Sequence, residues 1–302
     1  MPLSELCLSL KAYAKINLAL DVIGKRPDGF HEVVMIMQSI SLHDLVFMSL
    51  RKNGITLSCN NAELPCDKTN LVFRAAELVQ KEVGVQKGVY IKLTKNIPLA
   101  AGLAGGSSDA AAVLKGLNTL WELALSTREL ETLAARLGSD VPFCLWGGTA
   151  LATGRGECLE PLPDFSGVGV VLANPPLQVS TAWVYGRFRQ ELVLQRPNLA
   201  GMRLAIGEKD FEAVAGQLVN VLETVTVPAH PQIADIKKLL SNEGARGVLM
   251  SGSGPTVFAL TPSLDSARQL AGRISHGTDA SIFVAETVAR EDEKNVPSII
   301  TG

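Results

Sequence analysis

Residues 98–112 read Pro-Leu-Ala-Ala-Gly-Leu-Ala-Gly-Gly-Ser-Ser-Asp-Ala-Ala-Ala. The segment lies between a strand-like run, Val89 to Leu93, and a helical one, Ser107 to Trp121, in which Val113, Leu114, Leu117, Leu120 and Trp121 share a face. A chain that passes from strand to helix through glycines offers backbone N–H groups and the positive end of a helix dipole at one place, which suits a phosphate. Gly102, Gly105 and Gly106 allow close approach and positive φ, and Ser107 and Ser108 can cap the helix or bind a phosphate oxygen. No Lys follows the glycines, so this is not a P-loop, and the spacing is not that of the dinucleotide fingerprint. Alone, the segment reads equally well as a flexible turn with an N-cap.

Period-two alternation marks the first strand. Ala12, Ala14, Ile16, Leu18 and Leu20 alternate with Tyr13, Lys15, Asn17 and Ala19, predicting a half-buried strand on which Lys15 and Asn17 share a face about 7 Å apart. Pro27-Asp28-Gly29 marks a turn into a second strand, Val33 to Ile40. A helix is expected around Leu71 to Val79, and another opens at Ser126-Thr127-Arg128-Glu129, which has capping-box spacing. The loop Thr153–Glu157 and the stretch Pro161–Gly167 make the expected boundary between domains at 1–160 and 161–302. Beyond it come a strand at Val168–Ala173, helices at Lys209–Val225 and Pro231–Asn242, and a hairpin of Arg246–Met250 with Thr256–Leu260. A helix at Leu264–Ser275, a strand at Ala280–Val288 and a fraying tail after Arg290 complete an α+β half.

Composition removes several classes of function. The 302 residues are 47% hydrophobic and 19% charged, which is enough for a large core and too apolar for disorder. A net charge of −2 gives no basic field for nucleic acid. An uncharged apolar run such as Val168 to Leu177 is too short for a membrane span. Five widely spaced cysteines without a CxxC pair, and histidines without an HxxxH pair, offer neither a disulfide framework nor a zinc site. A reducing, cytoplasmic compartment is expected.

Single residues are ambiguous. Asp140, in Gly-Ser-Asp-Val-Pro-Phe, could be a general base or ordinary turn chemistry. An isolated strand Lys such as Lys15 is more often solvated than catalytic. The Ser251-Gly-Ser-Gly-Pro loop and Asp28-Gly29-Phe30-His31 both have plain hairpin readings.

Taken together, Ala14-Lys15-Ile16-Asn17-Leu18, the 98–108 loop and the Ser251-Gly-Ser-Gly-Pro loop resemble, in the same order, the GHMP small-molecule kinases. Arg26-Pro-Asp-Gly-Phe-His31, Gly138-Ser-Asp-Val-Pro-Phe143, Asn174-Pro-Pro and Val179-Ser-Thr-Ala-Trp-Val-Tyr185 narrow the resemblance to the 4-diphosphocytidyl-2-C-methyl-D-erythritol kinase family. The resemblance implies two α+β domains, the first ribosomal protein S5 domain 2-like and the second ferredoxin-like. It implies ATP and Mg²⁺, phosphorylation of the 2-hydroxyl of a cytidyl diphosphate substrate, and no nucleic-acid or membrane partner. ATP phosphates would lie on Pro98, Leu99, Ala100, Ala101, Gly102, Leu103, Ala104, Gly105, Gly106, Ser107 and Ser108. Lys15 and Asp140 match the family's catalytic pair, and His31 its cytosine reader. Phe30 and Tyr185 match the aromatic residues that sandwich the base, and Asn17 matches a polar neighbour of the transferred group. Ala104 stands where many members have Gly, and Phe30 where Tyr is common. Kinases of homoserine or mevalonate and a catalytically inactive nucleotide-binding regulator are the alternatives. Phe30, His31 and Tyr185 argue against the first, and the pair Lys15 and Asp140 against the second.

Overall fold

The computed structural model describes residues 7–290 and 298–300. In chain order the first half contains β1 (Cys7–Lys25), β2 (His31–Arg51), β3 (Ile55–Cys59), α1 (Leu71–Val83), β4 (Gly88–Thr94), α2 (Gly105–Leu120), α3 (Thr127–Leu137), α4 (Val141–Trp146), β5 (Thr149–Thr153) and β6 (Cys158–Pro161). The second half contains β7 (Gly169–Asn174), α5 (Thr181–Arg187), α6 (Leu199–Gly207), α7 (Phe211–Gly216), β8 (Val219–Asn220), α8 (Glu223–Ala229), α9 (Pro231–Asn242), β9 (Gly247–Met250), β10 (Val257–Thr261), α10 (Leu264–Ile274), β11 (Ser281–Glu286) and β12 (Ser298–Ile300).

Two sheets organise the α+β fold. One runs β12-β1-β2-β4-β3, with β5 also on β2, β6 on β5, and β8 parallel to β1. The other is β11-β7-β10-β9 and is antiparallel throughout. Part of the tail expected to fray is thus paired, Cys7–Ser9 with residues 298–300, while 291–297 lie outside the described residues. Among the described residues no helix is long and apolar enough to cross a membrane.

β1 departs from its expected half-burial in an informative way. From Cys7 to Tyr13 only alternate residues are buried, and Leu8, Leu10 and Ala12 pack on α1, α2 and α3. From Ala14 to Val22 every residue is buried, because a second layer covers the other face. Ala14, Ile16 and Leu18 meet Val170, Leu172, Phe258 and Leu260, while Leu20 and Val22 join Val171, Ala173 and Val257. The two halves therefore share cores, and polar groups on this stretch of β1 lie between them.

Other expectations divide. The capping box at Ser126 forms as expected, with Ser126 Oγ accepting from Glu129 N–H and Glu129 accepting from Ser126 N–H. The hairpin β9–β10 forms, and α9, α10 and β11 fall close to their expected bounds. The single helix expected at Lys209–Val225 is instead α7, β8 and the start of α8. Asn220 is drawn into the strand beside Leu20, and its Nδ2 donates to the carbonyls of Met250 and Gly252 at 2.8 and 2.7 Å. Tertiary hydrogen bonds override the local helical period there.

Candidate active site

A cavity of about 860 Å³ opens where the two halves meet. The loop before α2, the middle of β1, the β1–β2 turn, the α3–α4 junction, α5 and the β9–β10 turn all reach it. Lys15, Lys25 and Arg155 line it against one carboxylate, Asp140, so the cavity suits an anionic ligand.

Lys15 is 4% exposed, not solvated. Its Nζ donates to Asn17 Oδ1 at 2.8 Å and to the Gly102 carbonyl at 3.1 Å, and lies 3.9 Å from Asp140 Oδ2. The face-sharing of Lys15 and Asn17 is thereby realised as a direct bond. Asn17 is fully buried, and its Nδ2 points to Met35 Sδ at 3.4 Å. Asp140 sits at the N-cap of α4, but its side chain makes no capping bond. The turn-chemistry reading therefore fails to occupy this carboxylate, which stays one-third exposed and faces Lys15.

The glycine-rich loop is not uniform. Ala100, Ala101, Gly102, Ala104 and Ser107 line the cavity. Leu103 is buried in the shared core, and Gly105 packs within about 3.1–3.3 Å of Ile97 and Lys95 if given a Cβ. Positive φ falls at Ala100, Gly102 and Ala104, whereas Gly105 and Gly106 belong to the helix. Neither serine is the N-cap: α2 begins at Gly105, after Ala104 at φ 58° with no side-chain cap. Ser108 Oγ donates inward to the Tyr13 carbonyl and approaches Cys144 Sγ at 3.3 Å, so it is turned from the cavity.

The loop is held from the opposite half. Ser251 Oγ donates to the Gly102 carbonyl at 3.0 Å, the same oxygen that receives Lys15. A Cβ on Gly252 would stand 3.2 Å from that oxygen and 3.3 Å from Lys15 Nζ. The two glycine-rich turns interlock backbone against backbone around Lys15, a pairing that no local sequence signal announces.

At the far end stand the expected aromatic groups. The Asp28-Gly29 turn forms, with Gly29 at φ 88° and Arg26 N–H donating to the Phe30 carbonyl at 2.8 Å. His31 and Tyr185 stack with centroids 5.2 Å apart and planes tilted by 35°. Phe30, half exposed, makes its ring contact with the Arg155 guanidinium at 4.9 Å and not with Tyr185. Burial, aided by Lys25, lowers the His31 pKa below its ordinary value, favouring a neutral ring. Burial, then the nearby Asp140 charge, pushes the Tyr185 phenol up, so it stays protonated.

One polar cluster lies just behind the loop and was not legible from sequence. Lys95 Nζ bridges Asp44 and Asp109, 2.6 Å from Asp109 Oδ2, while Asp44 Oδ1 accepts from the N–H groups of Asn96 and Ile97. Asp109 Oδ1 is buried and, among the described residues, has no hydrogen-bond partner.

Comparison with known proteins bears on this site. The family model described as "GHMP kinases N terminal domain" matches residues 70–148, and "GHMP kinases C terminal" matches 202–277. A 4-diphosphocytidyl-2-C-methyl-D-erythritol kinase from Pelotomaculum thermopropionicum is 53% identical over 277 residues, covering 91% of this chain and 96% of that protein. The protein of that name from Brevibacillus brevis is 53% identical over 84% of this chain and 87% of its own length. A crystal structure of a 4-(cytidine 5'-diphospho)-2C-methyl-D-erythritol kinase superposes with TM-score 0.80 at 34% identity, covering 93% and 99% of the two chains. A homoserine kinase from Cytophaga hutchinsonii, at 20% identity and TM-score 0.74, shares the fold.

Proposed function

The chain belongs to the 4-diphosphocytidyl-2-C-methyl-D-erythritol kinase family of the GHMP kinases, and from that membership we propose how its own residues divide the reaction. The reaction is ATP-dependent phosphorylation of the 2-hydroxyl of 4-diphosphocytidyl-2-C-methyl-D-erythritol, in the non-mevalonate supply of isoprenoid precursors. The observation that carries the assignment of roles is the buried Lys15 beside Asp140 in a cavity whose ends are the 98–107 loop and the aromatic cluster.

ATP phosphates lie against Ala100–Gly102, Ala104 and Ser107, where the start of α2 leaves backbone N–H groups without a side-chain cap. The cytidyl end lies at Phe30, His31 and Tyr185, and the reacting hydroxyl lies between, beside Asp140. An alcohol is a weak nucleophile until its proton has an acceptor. Asp140 Oδ2 accepts that proton as the oxygen attacks the γ-phosphorus in line, and the bond from that phosphorus to the β–γ bridging oxygen breaks with its electron pair leaving on ADP. Lys15, fixed by Asn17 and the Gly102 carbonyl, sets a positive charge beside both the carboxylate and the transferring group. Asn17 thus acts mainly by aiming Lys15.

Mg²⁺ fits as an ion carried on the phosphates. Among the described residues no three His, Cys, Asp or Glu side chains gather as a metal cage, and the Ser108 hydroxyl is already bonded to Tyr13. Mg²⁺ commonly takes one or two carboxylates with substrate phosphates and water. Ser107, which lines the cavity on the same loop, is the group that would hold it through its hydroxyl. When bound it neutralises charge on the phosphate oxygens. We also keep the division at residue 160, and we place the protein in the cytoplasm, where an odd set of thiols stays reduced.

ATP consumption measured with the cytidyl substrate, homoserine and mevalonate in parallel tests the reading. Turnover confined to the cytidyl substrate is expected. Turnover with homoserine or mevalonate alone, or with none, overturns it.

A further inference from the structure

The loop Thr153–Glu157, read from sequence only as a boundary, is built into the wall of the cavity. The Gly154 carbonyl accepts from the Val33 N–H at 2.8 Å, which ties the loop to the strand that begins at His31. Gly156 sits at φ 111°, where a Cβ would stand 2.8 Å from Met35 Cε and 3.9 Å from Ser139 Cβ. The loop is therefore wedged between the base-binding strand and the residue before Asp140. At its tip Arg155 is held on two sides. Its Nε donates to Glu157 Oε1 at 3.2 Å while Glu157 Oε2 accepts the Arg155 backbone N–H at 2.5 Å, and its guanidinium stacks over Phe30 at 4.9 Å. Among the described residues the two terminal nitrogens of this fixed fork have no hydrogen-bond partner, and the side chain lines the cavity.

We propose that Arg155 is a substrate-specificity residue, whose guanidinium fork binds the diphosphate of the cytidyl substrate while its plane holds Phe30 against the base. The proposal rests on the functional reading above. A substrate stretched from the aromatic cluster to Asp140 must carry its diphosphate between them. Of the three cations in the cavity, Lys15 is taken by Asn17, Gly102 and Asp140. Arg155 touches the base-side aromatic ring itself and presents paired donors of the geometry that a phosphate accepts. Glu157 keeps the fork from rotating, so little side-chain freedom is lost on binding.

Calorimetric titration of CDP and of cytidine tests this, with the phosphate loop filled by a saturating non-hydrolysable ATP analogue. Wild type should prefer CDP. In Arg155→Ala the CDP affinity should fall about tenfold or more, with cytidine changing by no more than about threefold, and Arg155→Lys should fall between. For the full substrate, KM should rise while kcat and the KM for ATP stay near wild type. If Arg155→Ala weakens CDP and cytidine equally, or neither, the fork does not read the diphosphate and the proposal is overturned. If wild type binds neither probe, the functional reading itself fails and takes the proposal with it.

Discussion

Gly102→Ala puts the interlock of the two turns to a direct test. Gly102 sits at φ 75°, and a Cβ there would fall inside van der Waals contact of the Ser251 carbonyl oxygen and 3.1 Å from that of Gly254. Both obstacles are backbone, so no rotamer change relieves them. The left-handed conformation costs about 1–2 kcal/mol and the overpacking about 1–3 kcal/mol. A stiffer unfolded chain returns about 0.4–1 kcal/mol, which leaves a net loss of about 1–4.6 kcal/mol. At about 2–4 °C per kcal/mol, Tm should drop by about 2–18 °C. Activity should fall further than stability, because the Gly102 carbonyl also holds Lys15. Gly106→Ala is the control from the same motif: its Cβ meets nothing within 4 Å and its φ is helical, so the fold should hold or gain about 0.5–1 kcal/mol. Thermal denaturation and kcat on both variants settle the point. A Gly102→Ala protein with unchanged Tm and kcat refutes the interlock.

Asp140→Asn should retain Tm and ATP affinity, since the side chain caps nothing, while kcat drops by about 10²–10⁴; turnover near wild type removes Asp140 from the chemistry. His31→Ala should erode the preference for cytidyl over uridyl substrate in kcat/KM, because a neutral ring reading a base edge is lost at about 1–3 kcal/mol; unchanged selectivity leaves that role without support. Asp109 gives a pH signature: burial first, then Asp44, against the opposing pull of Lys95, raises its pKa from 3.8 to about 7. The folded state then holds the proton more tightly than the unfolded state, so this group's contribution falls as pH rises from about 4 to about 7. The Tm of wild type relative to Asp109→Asn should therefore decline between pH 5 and pH 8, and a flat difference in melting scans contradicts it.

The parts of this site that were legible from sequence are those carried by short periods. Alternation along β1 put Lys15 and Asn17 on one face, and they bond at 2.8 Å. The strand–glycine–helix junction marked a loop that lines the cavity. Burial of Lys15 was not legible, because what closes over its side of β1 is the Gly102 loop, 87 positions away, and the β9–β10 turn at Gly252 in the second half. Separation along the chain likewise hides the Gly102–Ser251 contact, 149 positions apart, and the pairing of Lys95 with Asp44, 51 apart. The cap of α2 was misplaced for another reason. Serines favour N-caps, but here Ala104 turns the chain through the left-handed region and the serines fall within the helix. Where many family members carry Gly, this chain accepts a strained Ala. Arg155 lay in a loop that read only as a boundary between domains, yet Gly156 lets that loop press against Met35 and Ser139.

The placement of Lys15 explains why the site needs both halves. A lysine in the middle of a doubly covered strand is costly unless its three N–H donors find acceptors. Asn17 supplies one from the same strand and the Gly102 carbonyl a second, leaving the third direction for the cavity and Asp140. The Gly102 carbonyl also accepts from Ser251 on the β9–β10 turn, while its loop is tied to β1 itself by the Lys15 N–H, which donates to the Leu103 carbonyl at 3.1 Å. The β9–β10 turn is held by Asn220 on β8, which pairs with β1, so the chain of bonds closes on the strand that carries the lysine. Separating the second half from the first would remove the Ser251 bond to the carbonyl on which Lys15 rests. The arrangement around Lys15 and the docking of the two halves are thus one cooperative unit, in which the charge proposed to assist phosphoryl transfer also penalises any loosening of the interface around it.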